Sequence, residues 1–199
     1  SLMMLTRDGV AKKVSADSFK DVRRSGLIAI KLADNDELLA VRPVDKGDEV
    51  MMSSQLGQAI RFKEADIREM GRNAAGVRGM KLKKGDRIVG AEVIKKEGAN
   101  GHYLVMSENG YGKKTKLKEY KTQKRGGSGI KTMSITKKTG PLVAVRVLDG
   151  VEEEVFAISK MGQVIRTPLG EISTLSRATQ GVRIMKLREG DSLASLTCL

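Results

Sequence analysis

Four glycines frame this chain. Gly9, Gly57, Gly110 and Gly162 each sit between an apolar run and a second run that ends in a cation, at intervals of 48, 53 and 52 residues. A second glycine follows in every unit, at Gly26, Gly76, Gly129 and Gly181, lying 17, 19, 19 and 19 residues after the first. Self-similarity at a near-fixed period constrains the fold more than any local motif. A unit of this size is one supersecondary element that cannot bury its apolar faces alone, so neighbouring units must stack.

Inside the unit the periodicity is that of strands. MMLTRDGVAKKV, VMMSSQLGQAIRF, YLVMSENGYGKKT and VFAISKMGQVIRT read as hairpins, with Asp8-Gly9 and Asn109-Gly110 as tight-turn dipeptides. After the second glycine come GLIAIKL, GVRGMKL, GIKTMSI and GVRIMKL, where the fourth and sixth positions beyond the glycine are apolar and the one between is polar, the period of two. A fourth apolar segment, LLAVRPV, RIVGAEVI, LVAVRVL or LASLTCL, closes each unit. Each repeat is therefore expected to supply four strands to an all-β, propeller-like array of four-stranded blades. The four units, at about 2–48, 49–97, 102–149 and 154–199, make one repeat domain over 1–199. The methionines at apolar positions are expected to fill the core between blades.

Composition points to the partner. Lys and Arg number 37 against 24 Asp and Glu, a formal charge of +13, which predicts an acidic partner: nucleic acid, an anionic membrane or an acidic protein. Aromatics are 3 % with no Trp, which argues against base stacking and for contact with a duplex backbone. One Cys, Cys198, and one His, His102, exclude a disulfide framework and a Cys/His metal site, and fit a reducing intracellular compartment. No apolar run approaches a membrane span, and SLMMLTRDG lacks the order of a signal peptide. A start inside a strand-like run is expected of a piece of a longer chain.

The cations are periodic too. Four residues after each first glycine stand Lys13, Arg61, Lys114 and Arg166, and before each second glycine stand Arg24, Arg72, Arg125 and Arg177. One reading is protection of open sheet edges. The other is two charged rings on a rigid scaffold, able to track a curved polyanion. The third repeat adds Gln123, Lys124, Arg125, Gly126, Gly127, Ser128 and Gly129, a basic loop whose glycines allow close backbone approach to phosphate.

With QKRGGSG, GVRGMKL, ENGYGKKT and ATQGVRIMKL in repeated units over its whole length, the chain resembles the C-terminal DNA-wrapping domain of the bacterial DNA gyrase A protein. The related domain of the topoisomerase IV A protein stays open beside it. The resemblance implies a β-pinwheel fold and a non-catalytic module that wraps duplex DNA around a basic rim. It further implies partnership with the rest of the gyrase A protein and with the gyrase B protein in an ATP-dependent supercoiling enzyme, no cofactor in this part, and a bacterial cytoplasmic, nucleoid-associated location. The implied DNA contacts are Lys13, Arg24, Arg61, Arg72, Lys114, Lys124, Arg125, Arg166 and Arg177. The family's basic box belongs to the first blade of about six; here the nearest copy is in the third unit of four, with Ser128 where a cation is usual.

Two other classes remain beside it. A basic scaffold for an acidic protein would bind one to one without dependence on DNA length. An enzyme is disfavoured: His102 has no partner by spacing, Cys198 reads as a small hydrophobe, and QKRGGSGIK lacks the P-loop order. By the resemblance, the DNA-cleaving tyrosine lies in another part of the gyrase A protein, so Tyr103, Tyr111 and Tyr120 are not assigned that role.

Overall fold

A computed structural model describes residues 1–22 and 24–199. The first repeat forms β1 (Leu2–Thr6), β2 (Val10–Val14) and β3 (Leu38–Pro43), and the second β4 (Glu49–Ser54), β5 (Gln58–Lys63), β6 (Val77–Arg78) and β7 (Ile88–Ile94). The third forms β8 (His102–Ser107), β9 (Tyr111–Lys116), β10 (Ile130–Lys131) and β11 (Leu142–Leu148), and the fourth β12 (Glu154–Ser159), β13 (Val164–Pro168), β14 (Val182–Arg183) and β15 (Leu193–Cys198). The fold is all-β, with four antiparallel sheets ordered β3-β1-β2-β6, β7-β4-β5-β10, β11-β8-β9-β14 and β15-β12-β13.

That order corrects one expectation. A repeat does not build its own sheet: the strand after the second glycine is donated to the outer edge of the preceding blade, so β6 pairs with β2, β10 with β5 and β14 with β9. Consequently the matching segment of the first repeat, 26–32, forms no strand, and the fourth sheet has three strands among the described residues.

The hairpin glycine is what admits the donated strand. Gly57 O accepts from Thr132 N at 2.8 Å and Met133 N at 3.3 Å, and Gly110 O accepts from Ile184 N and Met185 N at 2.9 and 3.1 Å. Both glycines lie at positive φ, and a Cβ at Gly110 would meet Met185 O at 2.2 Å. Turn geometry and close approach thus require glycine together.

The apolar faces close between blades, in three cores. Met3, Leu5 and Ala11 of the first blade meet Met52, Ile60 and Phe62 of the second. Met51 and Ala59 meet Tyr103, Val105 and Leu117 of the third, and Leu104 and Met106 meet Val155, Ala157 and Leu193 of the fourth. Eight of the ten methionines are buried, as a gap-filling role requires; Met70 is half-buried and Met161 exposed. The strands nearest the axis are bound through charge as well: Glu92 of β7 accepts from Arg42 of β3 and Arg146 of β11, each at 3.1 Å. The hairpin turns converge at one end of that axis, where Arg7, Gln55, Glu108 and Lys160 help to line a cavity of about 570 Å³.

Candidate nucleic-acid interface

The strand cations do not form a surface ring. Lys13 reaches across to the next blade, where Nζ donates to the Glu64 carboxylate at 2.5 Å and to Glu64 O at 3.3 Å. Arg61 is 8 % exposed; it pairs with Glu49 and donates from Nη1 to Leu117 O at 2.9 Å and Tyr120 O at 3.4 Å. Lys114 Nζ donates to Leu169 O at 2.5 Å. In each case an acceptor is the first residue of the short 3-10 turn that follows the next blade's hairpin, at Glu64–Asp66, Leu117–Glu119 and Leu169–Glu171. These three cations are latches between blades. Arg166, in the last blade, pairs with its own Glu154, and its side chain is 65 % exposed.

The arginines before the second glycine have a similar geometry. Arg72 Nη1 donates to Ile28 O at 3.3 Å, Arg125 Nη1 to Arg78 O at 3.1 Å and Arg177 Nη1 to Lys131 O at 3.0 Å. All three acceptors lie two residues past the second glycine of the preceding repeat. Arg125 also donates from Nε to Asp66 O at 2.9 Å. A guanidinium has five N–H donors, so each keeps donors for solvent or a ligand, and Arg125, bonded through both Nε and Nη1, is the most firmly oriented of the three. Arg24 is exposed.

The QKRGGSG loop is a stitch with an outward side. Gln123 N donates to Arg61 O at 2.7 Å, Gly126 N to Gly79 O at 2.6 Å, and Gly127 O accepts from Lys81 N at 2.9 Å. Gly129 at positive φ would place a Cβ 2.4 Å from Ala59 O. Its glycines therefore serve contact between repeats, while Lys124 and Ser128 are exposed.

The cations that do face outward periodically stand elsewhere. Arg78, Lys131 and Arg183 occupy one position, two residues past the second glycine, on the donated edge strands, and all three are exposed. Lys31, Lys81 and Lys186, five residues past that glycine, are exposed as well. The reading of GVRGMKL as an alternating strand already held this signal, because its polar positions are the outward ones. Arg183 is further held by Tyr111, whose hydroxyl accepts from Nη2 at 2.9 Å. With Lys138, Lys186 and Arg188 it lines a cavity of about 340 Å³.

The remaining reactive groups are structural. Tyr103 is buried and its hydroxyl bonds Ser53 at 2.7 Å, so burial raises its pKa. Tyr120 bonds Thr132 at 2.6 Å, and burial pushes it up to about 12. Burial, then the charges of Lys114 and Lys116, lowers His102. Burial pushes the Cys198 thiol up to about 11, away from the reactive thiolate. Among the described residues no group of three His, Cys, Asp or Glu could hold a metal ion, and no helix is long and apolar enough to cross a membrane.

Comparison with known proteins agrees with this architecture. The family model described as DNA gyrase C-terminal domain, beta-propeller, matches residues 1–45, 48–95, 102–149 and 153–199. The DNA gyrase A protein of Staphylococcus epidermidis is 38 % identical over 195 residues, 98 % of this chain and 22 % of the relative. The gyrase A protein of Haloquadratum walsbyi is 36 % identical over 193 residues, 97 % of this chain and again 22 % of the relative. The chain thus spans under a quarter of the curated relatives' length. A solved DNA gyrase A C-terminal domain superposes with a TM-score of 0.88 at 32 % identity, covering 100 % of this chain and 65 % of that one. The C-terminal domain of a DNA topoisomerase IV has a TM-score of 0.91 at 24 % identity, covering 100 % and 61 %, which is likeness of fold.

Proposed function

The chain belongs to the DNA gyrase C-terminal domain family, and from that premise we propose that it binds and bends duplex DNA along its outer edge. The observation that carries the reading is the register of Arg78, Lys131 and Arg183: three exposed cations at one repeat position, on the edge strands of three successive sheets. Lys81, Lys186, Lys124 and Arg24 extend that edge, and the free donors of Arg72, Arg125 and Arg177 add further contacts. Arg166 contributes an exposed charge, whereas Lys13, Arg61 and Lys114 act by holding the blades that the others decorate.

Binding of this kind is to the phosphate backbone, with weak sequence preference arising from DNA flexibility. Bending a site of 20–30 base pairs costs on the order of 1–6 kcal/mol, which many weak contacts along an edge offset better than one pocket. The module requires no cofactor of its own. It serves a longer gyrase A protein, acts with the gyrase B protein in ATP-dependent negative supercoiling, and lies with the nucleoid in the bacterial cytoplasm.

The test is affinity for linear duplexes of roughly 30 and roughly 150 base pairs, the latter about one persistence length, across a salt series. Tighter binding of the long duplex than its added sites explain, with a log-log salt slope near −0.9 per phosphate contact, is the expected result. Binding that ignores DNA length would refute wrapping, and a one-to-one complex with an acidic protein alone would replace it.

A further inference from the structure

Lys12 and Lys113 are wholly buried, each beside a latching lysine on its strand. They stand at one repeat position, three residues past the hairpin glycine, where the second repeat has Ile60. Lys113 Nζ donates to Ser176 O and Arg177 O, both at 2.6 Å, and to Thr179 Oγ1 at 2.9 Å. Its three protons meet three acceptors, all from the loop that precedes Gly181. Lys12 Nζ donates to Arg72 O, in the matching loop of the second repeat, and to Ala29 O at 2.7 Å.

The third repeat handles the same loop differently. There the chain turns through Gly126 at φ 82°, donates Gly126 N to Gly79 O, and lays Gly127 against Ile60. At the place of Gly126 the other loops have Asn73 and Ala178, neither at positive φ. Without that turn their carbonyls converge inward, where only a buried donor can satisfy them.

We infer that Lys12 and Lys113 are positioning residues for the DNA-facing edge: Lys113 gathers three acceptors of a loop that lacks the glycine turn, Lys12 ties Arg72 O of the matching loop to Ala29 O of the first repeat, and each so fixes the donated strand beyond its loop. Lys113 thereby sets Arg183 and Lys186, and Lys12 sets Arg78 and Lys81. The inference rests on the DNA-binding reading above.

It has a pH signature. Burial holds Lys113 down to about 8; Glu119 facing it raises the value and Arg177 lowers it. Lys12 is lowered by burial and then by Arg72. A folded value below the ordinary 10.5 means the burial cost is full below pH 8 and fades as pH rises toward 10.5. Global stability therefore holds or rises through that window. The grip of Lys113 on its loop weakens, because a neutral amine has two donors for three acceptors, whereas Lys12 with two acceptors keeps both.

The experiment measures affinity for a duplex of roughly 150 base pairs at fixed salt between pH 7 and 9, with thermal unfolding in parallel, for the wild type, Lys113→Met and Lys118→Met. Lys118 is an exposed lysine on the neighbouring turn and controls for charge alone. The wild type is expected to lose about tenfold in affinity across the range, the effect of one phosphate contact near 0.1 M salt, without losing thermal stability. Lys113→Met should start about tenfold weaker and stay flat with pH, while Lys118→Met keeps the wild-type slope. A flat wild-type profile overturns the inference even if Lys113→Met does not fold, and so does a Lys113→Met profile that matches the wild type. If the wild type wraps DNA but shows either result, only this inference fails; if it binds no DNA at pH 7, the DNA-binding reading fails with it.

Discussion

Arg61 and Arg166 stand at the same repeat position, each paired with a glutamate twelve residues earlier. One is sealed between blades and caps two carbonyls of its neighbour; the other lies open on the last sheet. Periodicity in a repeat protein therefore reports contact between units first. A residue that recurs in every unit answers to what every unit touches, and that is the next unit before it is any ligand.

Stability separates the two arginines most strongly. Arg61→Ala leaves Glu49 half-sealed with no guanidinium and strips Leu117 O and Tyr120 O of a donor. Removing one partner of such a buried pair costs about 3–5 kcal/mol, readable as a shift of the urea midpoint. Arg166→Ala should leave that midpoint in place. Equal shifts from the two substitutions would mean that the latch is worth no more than a surface pair.

A smaller effect is expected at the hairpin glycines. Gly110 and Gly162 share positive φ, at 80° and 83°, but a Cβ at Gly110 strikes Met185 O, whereas one at Gly162 meets nothing within 4 Å. Gly162→Ala should cost about 1–2 kcal/mol, the strain of a left-handed residue alone. Gly110→Ala should cost more, because the donated strand must also retreat. Identical unfolding midpoints for the two variants would show that strand donation adds nothing to the turn's own demand for glycine.

This contrast also explains what was legible in the sequence. The hairpins, the all-β class, the four units and the buried methionines followed from alternation and turn chemistry, which are local. Donation of β6, β10 and β14 to the preceding sheet was not legible, since alternation says which face a residue takes but not which sheet edge the strand joins. The latches were hidden for a related reason. Their acceptors, Leu117 O, Tyr120 O and Leu169 O, are main-chain carbonyls that any residue type supplies. Two features of the sequence carry this information: the polar positions of the donated strand, and the lysine pairs Lys12-Lys13 and Lys113-Lys114. Adjacent strand residues take opposite faces, so two neighbouring lysines in a stacked blade cannot both point to water.

The smallest expected effect separates the two kinds of cation at the level of function. Arg78→Gln removes an exposed charge from a donated edge strand, where among the described residues the guanidinium holds no other blade and its main-chain oxygen still serves Arg125. Stability should be unchanged, and the log-log salt slope for duplex binding should flatten by about 0.9, one phosphate contact. Arg61→Gln, assayed at a temperature where it remains folded, should lower stability and leave the slope alone, because its side chain never reached the backbone of the DNA. The two variants each delete one positive charge, so net charge cannot account for a difference between them. Were both to flatten the slope alike, long-range field rather than contact at the edge would govern binding, and the donated strands would lose their special standing.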